Sequence, residues 1–189
     1  MTPDKIILLI IDKAGGKISG KTLLQKRAYF LSKVLNWDLG YHAHYYGPYS
    51  PEIESGIGKL KSLGFINEKT LGFGMTNQSG FEVRRYDYEI TEDGKIIVQK
   101  LCEKEPADCE KVQNTLMRLS EAGDTDDYMA LSIAAKTYHV LEEQKKPMGN
   151  EEIRTFAETL GWKISPESIN NAVNFLDKVH LVTTGKNVD

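Results

Sequence analysis

Two cysteines among 189 residues are too few for a disulfide scaffold. Cys102 and Cys109 also lack metal-site spacing, with Pro106 between them, and are expected as buried thiols. With only 6 prolines and 27% charged residues, the chain does not have the composition of a disordered protein. Long apolar runs are missing too. The longest, Ile6 to Ile11, falls far short of the roughly 20 residues a membrane span needs. The start shows no basic segment followed by a small-residue cleavage site, so a cytoplasmic protein is expected. No G-x-S-x-G turn or reactive Cys–His arrangement occurs. Neither an enzyme nor a cofactor is expected.

Net charge is also low, at −3, but it is unevenly placed. Residues 1–100 carry 14 Lys and Arg against 11 Asp and Glu, whereas residues 101–189 carry 10 against 16. From Lys13 to Trp37 there are six basic residues (Lys13, Lys17, Lys21, Lys26, Arg27, Lys33) and no acid. Such a stretch can hold phosphate even on an acidic protein, and a solvated helix face gives the same count.

What is present is regular. Thr2-Pro3-Asp4 reads as a helix start with a hydroxyl cap, and Gly15-Gly16 as its stop. Ser19-Gly20 opens a second helix with Leu23, Leu24, Ala28, Phe30, Leu31, Val34 and Leu35 on its apolar side. The aromatic alternation from Tyr41 to Tyr46 predicts a short strand. Ser50-Pro51-Glu52 opens a third helix, with Ile53, Ile57, Leu60 and Leu63 inward and Gly64 at its end. A strand follows from Phe65, then a hairpin tip over 70–80, a strand over 81–90, and a helix capped by Thr91. Further helices are predicted near 107–122, 126–143, 150–160 and 166–179.

This order predicts an α+β protein that is mainly helical with a small β wing. A winged helix-turn-helix domain would occupy 1–105, a connecting helix 106–123 and a helical C-terminal domain 124–189. An internal echo also suggests a second, degenerate winged helix. Ile53, Ile57, Leu60, Leu63, Phe65 and Ile66 recur at an offset of 116 as Ile169, Val173, Leu176, Val179, Leu181 and Val182. Ser165-Pro166-Glu167 mirrors Ser50-Pro51-Glu52, one residue out of register.

Three constellations could carry chemistry. Gly15 to Thr22, GGKISGKT, matches the phosphate-cradling P-loop without a mismatch, which would put Lys21 on phosphate and Thr22 on Mg²⁺. A helix stands where that motif needs a strand, and no later apolar run ends in a suitable acid. The alternative is a turn between helices. His42 and His44 have a spacing that suits metal ligands on a strand, or they pack against neighbouring tyrosines. Tyr45, Tyr46 and Tyr49 either offer stacking and anchoring surfaces or fill a seam between helices.

The segments Gly20-Lys21-Thr22, Leu24-Gln25-Lys26 and Tyr29-Phe30-Leu31, followed by His44-x-Tyr46-Gly47-Pro48-Tyr49-Ser50, resemble the YwgA-like winged-helix family. They are more distantly similar to the Panacea (SocA-type) antitoxin domain. The resemblance covers about residues 3–100, with Arg27 and Ala28 standing where a more apolar pair is usual. It implies regulation or neutralisation of a protein partner. The expectation is a winged-helix regulatory protein that binds double-stranded DNA. Ser55, Lys59 and Lys61 would face the major groove, Lys17, Lys21 and Lys26 the phosphates, and Arg84 and Arg85 would sit on the wing. Glu52 and Glu54 on the same helix oppose that role. The competing expectations are a protein-interaction module working through Tyr45, Tyr46 and Tyr49, and nucleotide binding at 15–22. A homodimer through 107–143 is expected by analogy with other winged helices.

Overall fold

Six consecutive apolar residues on a helix have no polar face to turn outward, so that helix must be enclosed on all sides. The computed structural model, which describes residues 1–75 and 82–184, places Ile6 to Ile11 at 0–2% exposure in helix α1 (Pro3–Lys13). Around α1 pack α2 (Lys21–Val34), α3 (Pro51–Ser62), α4 (Glu92–Lys104) and α5 (Pro106–Ala122). A three-stranded antiparallel sheet closes the remaining side, with β1 (Lys17–Ser19), β2 (Ile66–Met75) and β3 (Glu82–Ile90) in the order β1-β3-β2. Three further helices follow, α6 (Tyr128–Gln144), α7 (Asn150–Thr159) and α8 (Pro166–Lys178). The described residues thus form an α+β fold of eight helices and one small sheet. None of these helices is long and apolar enough to cross a membrane.

Most helix starts follow the local chemistry. Ser50, Thr91 and Ser165 each accept a hydrogen bond from an amide of the first turn. Thr2 holds the N-cap position of α1 but makes no side-chain capping bond, contrary to expectation. The helix begins there because Pro3 has no amide to satisfy and fixes a helical φ.

Five sequence readings need correction, the first being Leu63, which is 55% exposed and not inward. Residues 41–46 are not a strand; a single bridge joins His42 to Tyr49 across a turn. β1 lies inside the segment read only as an interhelical turn, and pairs Ile18 with Tyr88. The predicted hairpin tip is strand up to Met75, and residues 76–81 lie outside the described ones. Cys102 and Cys109 are not free thiols but a disulfide across the Pro106 turn between α4 and α5.

Two glycines mark close approaches. A Cβ on Gly56 of α3 would lie 2.7 Å from Ile7 Cδ1, where α3 crosses α1. A Cβ on Gly94 would lie 2.2 Å from the Phe65 carbonyl, which accepts the Thr91 amide.

The echo at offset 116 extends to the helix ends. Phe65 N–H donates to Leu60 O at 3.0 Å, and Leu181 N–H donates to Leu176 O at 3.0 Å. Gly64 and His180 share the left-handed conformation, with φ of 72° and 62°. After α8, however, no strand forms through Thr184.

The C-terminal helices are attached by specific contacts. Arg27 donates to Thr125 O and pairs with Asp126 at 2.6 Å. Lys33 meets Glu142 at 2.7 Å, and Phe30 lies edge-on to Phe175 at 5.3 Å. The main apolar core continues through Leu131, Leu176 and Val179, while Val140, Ile153, Trp162 and Ile169 form a smaller core under α7.

Candidate functional site

The two motif segments near residues 25 and 48 lie against each other. Gln25 donates its amide to Ser50 O at 3.0 Å and accepts the Ser50 N–H at 3.1 Å. Tyr41 OH donates to Gln25 O at 2.8 Å, and Ser50 OH donates to Leu39 O. Lys26 donates to Pro48 O at 2.6 Å. One turn of α2 therefore holds the backbone of the 41–50 loop at several points, which explains why a glutamine and a lysine stand on a buried face.

Gly47, with φ of 96°, completes the turn. A Cβ there would come within 3.0 Å of Lys136 Cγ and 3.4 Å of Lys26 Cε. The loop is thus held between α2 and α6. From α7 onward a further clamp reaches it: Trp162 Nε1–H donates to His44 O at 2.8 Å.

Lys26 is 2% exposed, and among the described residues no carboxylate pairs with it. Burial, and secondarily the charge of Lys136, push its ammonium down to about 7. Burial also lowers Lys136. Lys26 consequently serves the loop and is not available on the surface for DNA phosphates, which corrects the sequence expectation for that residue.

The other proposed contacts are distributed as follows. Lys17 is exposed on β1, opposite Glu89. Lys21 pairs with Glu54 at 2.7 Å and sits 5.0 Å from the Tyr86 ring centre. On α3, Ser55 is exposed, Lys59 meets Asp4 at 3.1 Å, and Lys61 meets Glu68 at 2.5 Å. Arg85 grips Asp87 with two bonds, of 2.8 and 3.0 Å, and Arg84 is exposed beside it.

Lys21, Arg84 and Arg85 converge on one cavity of about 550 Å³ between the start of α2, the 44–49 loop and β3. Ser55, Lys59 and Lys61 do not line it. Tyr46, Tyr49, Tyr86 and Tyr128 line it, along with Lys26 and His44. Burial pushes the Tyr49 phenol up, with Glu54 adding to the effect. Tyr45 and Tyr46 do not fill a seam, at 74% and 61% exposure. Sequence reasoning missed Tyr86, which lies within the strand read over 81–90, and Tyr128, which arrives from a segment with no local signal linking it to the loop.

His42 and His44 do not share a strand face. Their rings lie 5.9 and 5.1 Å from the Tyr49 ring. Among the described residues no group of three His, Cys, Asp or Glu could hold a metal ion. The P-loop-like segment follows a helix, and its residues 17–19 are extended in the sheet. A phosphate cradle needs successive amides wrapped round one ligand, which a paired strand does not provide.

No family model matches this chain, and no curated protein matches it.

Proposed function

We propose that this protein is a winged-helix regulator that binds double-stranded DNA, with α2 and α3 as its helix-turn-helix and β2–β3 as its wing. The observation that carries this reading is the sheet. β1 covers only Asp87 to Glu89 of β3, so the rest of β3 and its partner β2 run on as a two-stranded arm bearing Arg84 and Arg85. An arm of that kind, projecting from a sheet whose β1 carries exposed Lys17 opposite Glu89, can track a phosphate backbone while α3 lies beside a groove. The α3 lysines are already paired with Asp4 and Glu68, so α3 contributes more by shape than by charge.

Fluorescence anisotropy of a mixed-sequence 30-base-pair duplex, read at several salt concentrations, tests this. Binding should weaken steeply with salt, and Arg84→Glu combined with Lys17→Glu should weaken it at least tenfold and flatten the salt slope. Absence of binding at low salt, or a double variant that binds like the parent, sinks the reading.

The exposed Tyr45 and Tyr46 favour a second reading, a protein-interaction module. Its signature is a partner retained at high salt and lost in Tyr45→Ala/Tyr46→Ala. A homodimer through α5 and α6 would have to use the apolar side chains these helices leave exposed, Met117, Tyr128 and Met129.

A further inference from the structure

The cavity beside α2 has the composition of a ligand site. Its volume of about 550 Å³ lies in the ordinary range for small-molecule pockets. Among the described residues four basic side chains line it and no carboxylate does, with Glu54 and Asp87 standing behind Lys21 and Arg85 as their partners. Its four tyrosines come from three separate segments, the 44–49 loop, β3 and the start of α6. Three of the basic groups are held in place: Arg85 by its two bonds to Asp87, Lys21 by Glu54, and Lys26 by the Pro48 carbonyl.

Lys26 supplies the second, independent observation. An ammonium has three donors, and one of them is engaged with Pro48 O. A buried cation without a counter-ion is costly, and a second lysine, Lys136, packs at Gly47 beside it. That cost falls if an anion occupies the cavity that Lys26 lines. The stem of Arg85 crosses Gly20, the N-cap of α2, which has no side chain to cap the first-turn amides. The amides at that end therefore add to the positive field on the same side of the cavity.

We propose that this cavity binds a small planar ring compound carrying a phosphate group, with the ring between the tyrosines and the phosphate toward Lys26, Arg84 and Arg85. Aromatic faces hold a flat ring with little regard to its identity, while the cations select its charge. The site is separate from the duplex-binding reading in its ligand and in its measurement.

Isothermal titration of the full chain with the four common mononucleotides tests this. Adenosine, inorganic phosphate and 4-hydroxybenzoate serve as controls for the ring alone, the anion alone and a ring carboxylate. At least one mononucleotide should bind, with adenosine and phosphate each at least tenfold weaker. Lys26→Met and Tyr128→Ala should each weaken it at least fivefold. Tyr128 is 54% exposed, so its variant reports on the site even if Lys26→Met fails to fold. The proposal is overturned if no mononucleotide binds at 5 mM, or if phosphate alone binds as tightly. It is equally overturned if 4-hydroxybenzoate binds more tightly than every mononucleotide, or if Tyr128→Ala binds like the parent. Duplex binding is scored in a different assay, so either idea can fail without the other.

Discussion

Burying an ammonium without a carboxylate should leave a mark on stability, and Lys26 is the residue where that mark can be read. Below about pH 7 the group is protonated in the folded and unfolded chains alike, and the full cost of burial is present. Between about 7 and the ordinary lysine value of 10.5, the folded protein has lost the proton and the unfolded chain still binds it. Stability therefore rises with pH across that window. Lys136 is shifted in the same direction. The phenols of Tyr29, Tyr41 and Tyr88 are raised by burial, so they reverse the trend only above about pH 10. Lys26→Met keeps the stem and removes the charge, at the cost of a donor for Pro48 O, about 1–3 kcal/mol. Whatever the offset, the Tm of the wild type should climb relative to the variant between pH 7 and 9.5. A difference that stays flat over that range would show that the ammonium carries no burial cost.

At the scale of elements, the two Ser-Pro-Glu starts make a controlled comparison. Ser50 is fully buried, caps Ile53 N–H at 3.1 Å, donates to Leu39 O and exchanges bonds with Gln25. Ser165 is exposed and caps Ser168 N–H at 3.2 Å. Ser165→Ala should therefore lose a cap and one exposed bond to the Ser168 hydroxyl, about 1 kcal/mol in all. Ser50→Ala also strands a buried carbonyl and should lose about 2–3 kcal/mol. Urea unfolding of both variants checks the order, and equal losses would mean that the hydroxyl's bond to Leu39 O contributes nothing. These starts were legible in the sequence because proline and hydroxyl caps act within one turn. β1 was not, since three residues inside a glycine-rich segment become a strand only through pairing with β3. Nor was the disulfide, because it depends on how the Pro106 turn brings α4 and α5 together. The same limit hid the cavity. Lys21, Arg84 and Arg85 were visible as charges, but Tyr128 joins them only through the packing of α6 on α2.

For the whole molecule, the question is whether the C-terminal helices unfold with the rest. One buried apolar cluster includes Ile6 of α1, Leu131 of α6 and Leu176 of α8. The polar contacts point the same way. Arg27 fastens α2 to Thr125 and Asp126, and the Trp162 indole fastens the 41–50 loop. The cavity shares this dependence, because Tyr128 of α6 lines it and Lys136 of α6 packs beside Lys26 at Gly47. The chain contains two tryptophans, with Trp37 against the main core and Trp162 in the smaller one. Trp37→Phe leaves a fluorescent reporter in the C-terminal helices alone, and Trp162→Phe leaves one beside α2 alone. If the core acts as a unit, fluorescence and far-ultraviolet circular dichroism should give coincident thermal transitions within each variant. Arg27→Leu added to either variant should lower both signals together. A Trp162 signal that melts several degrees before the dichroism would instead make 124–184 an independent unit, and the cavity would then lose its Tyr128 wall before α1 to α3 unfold.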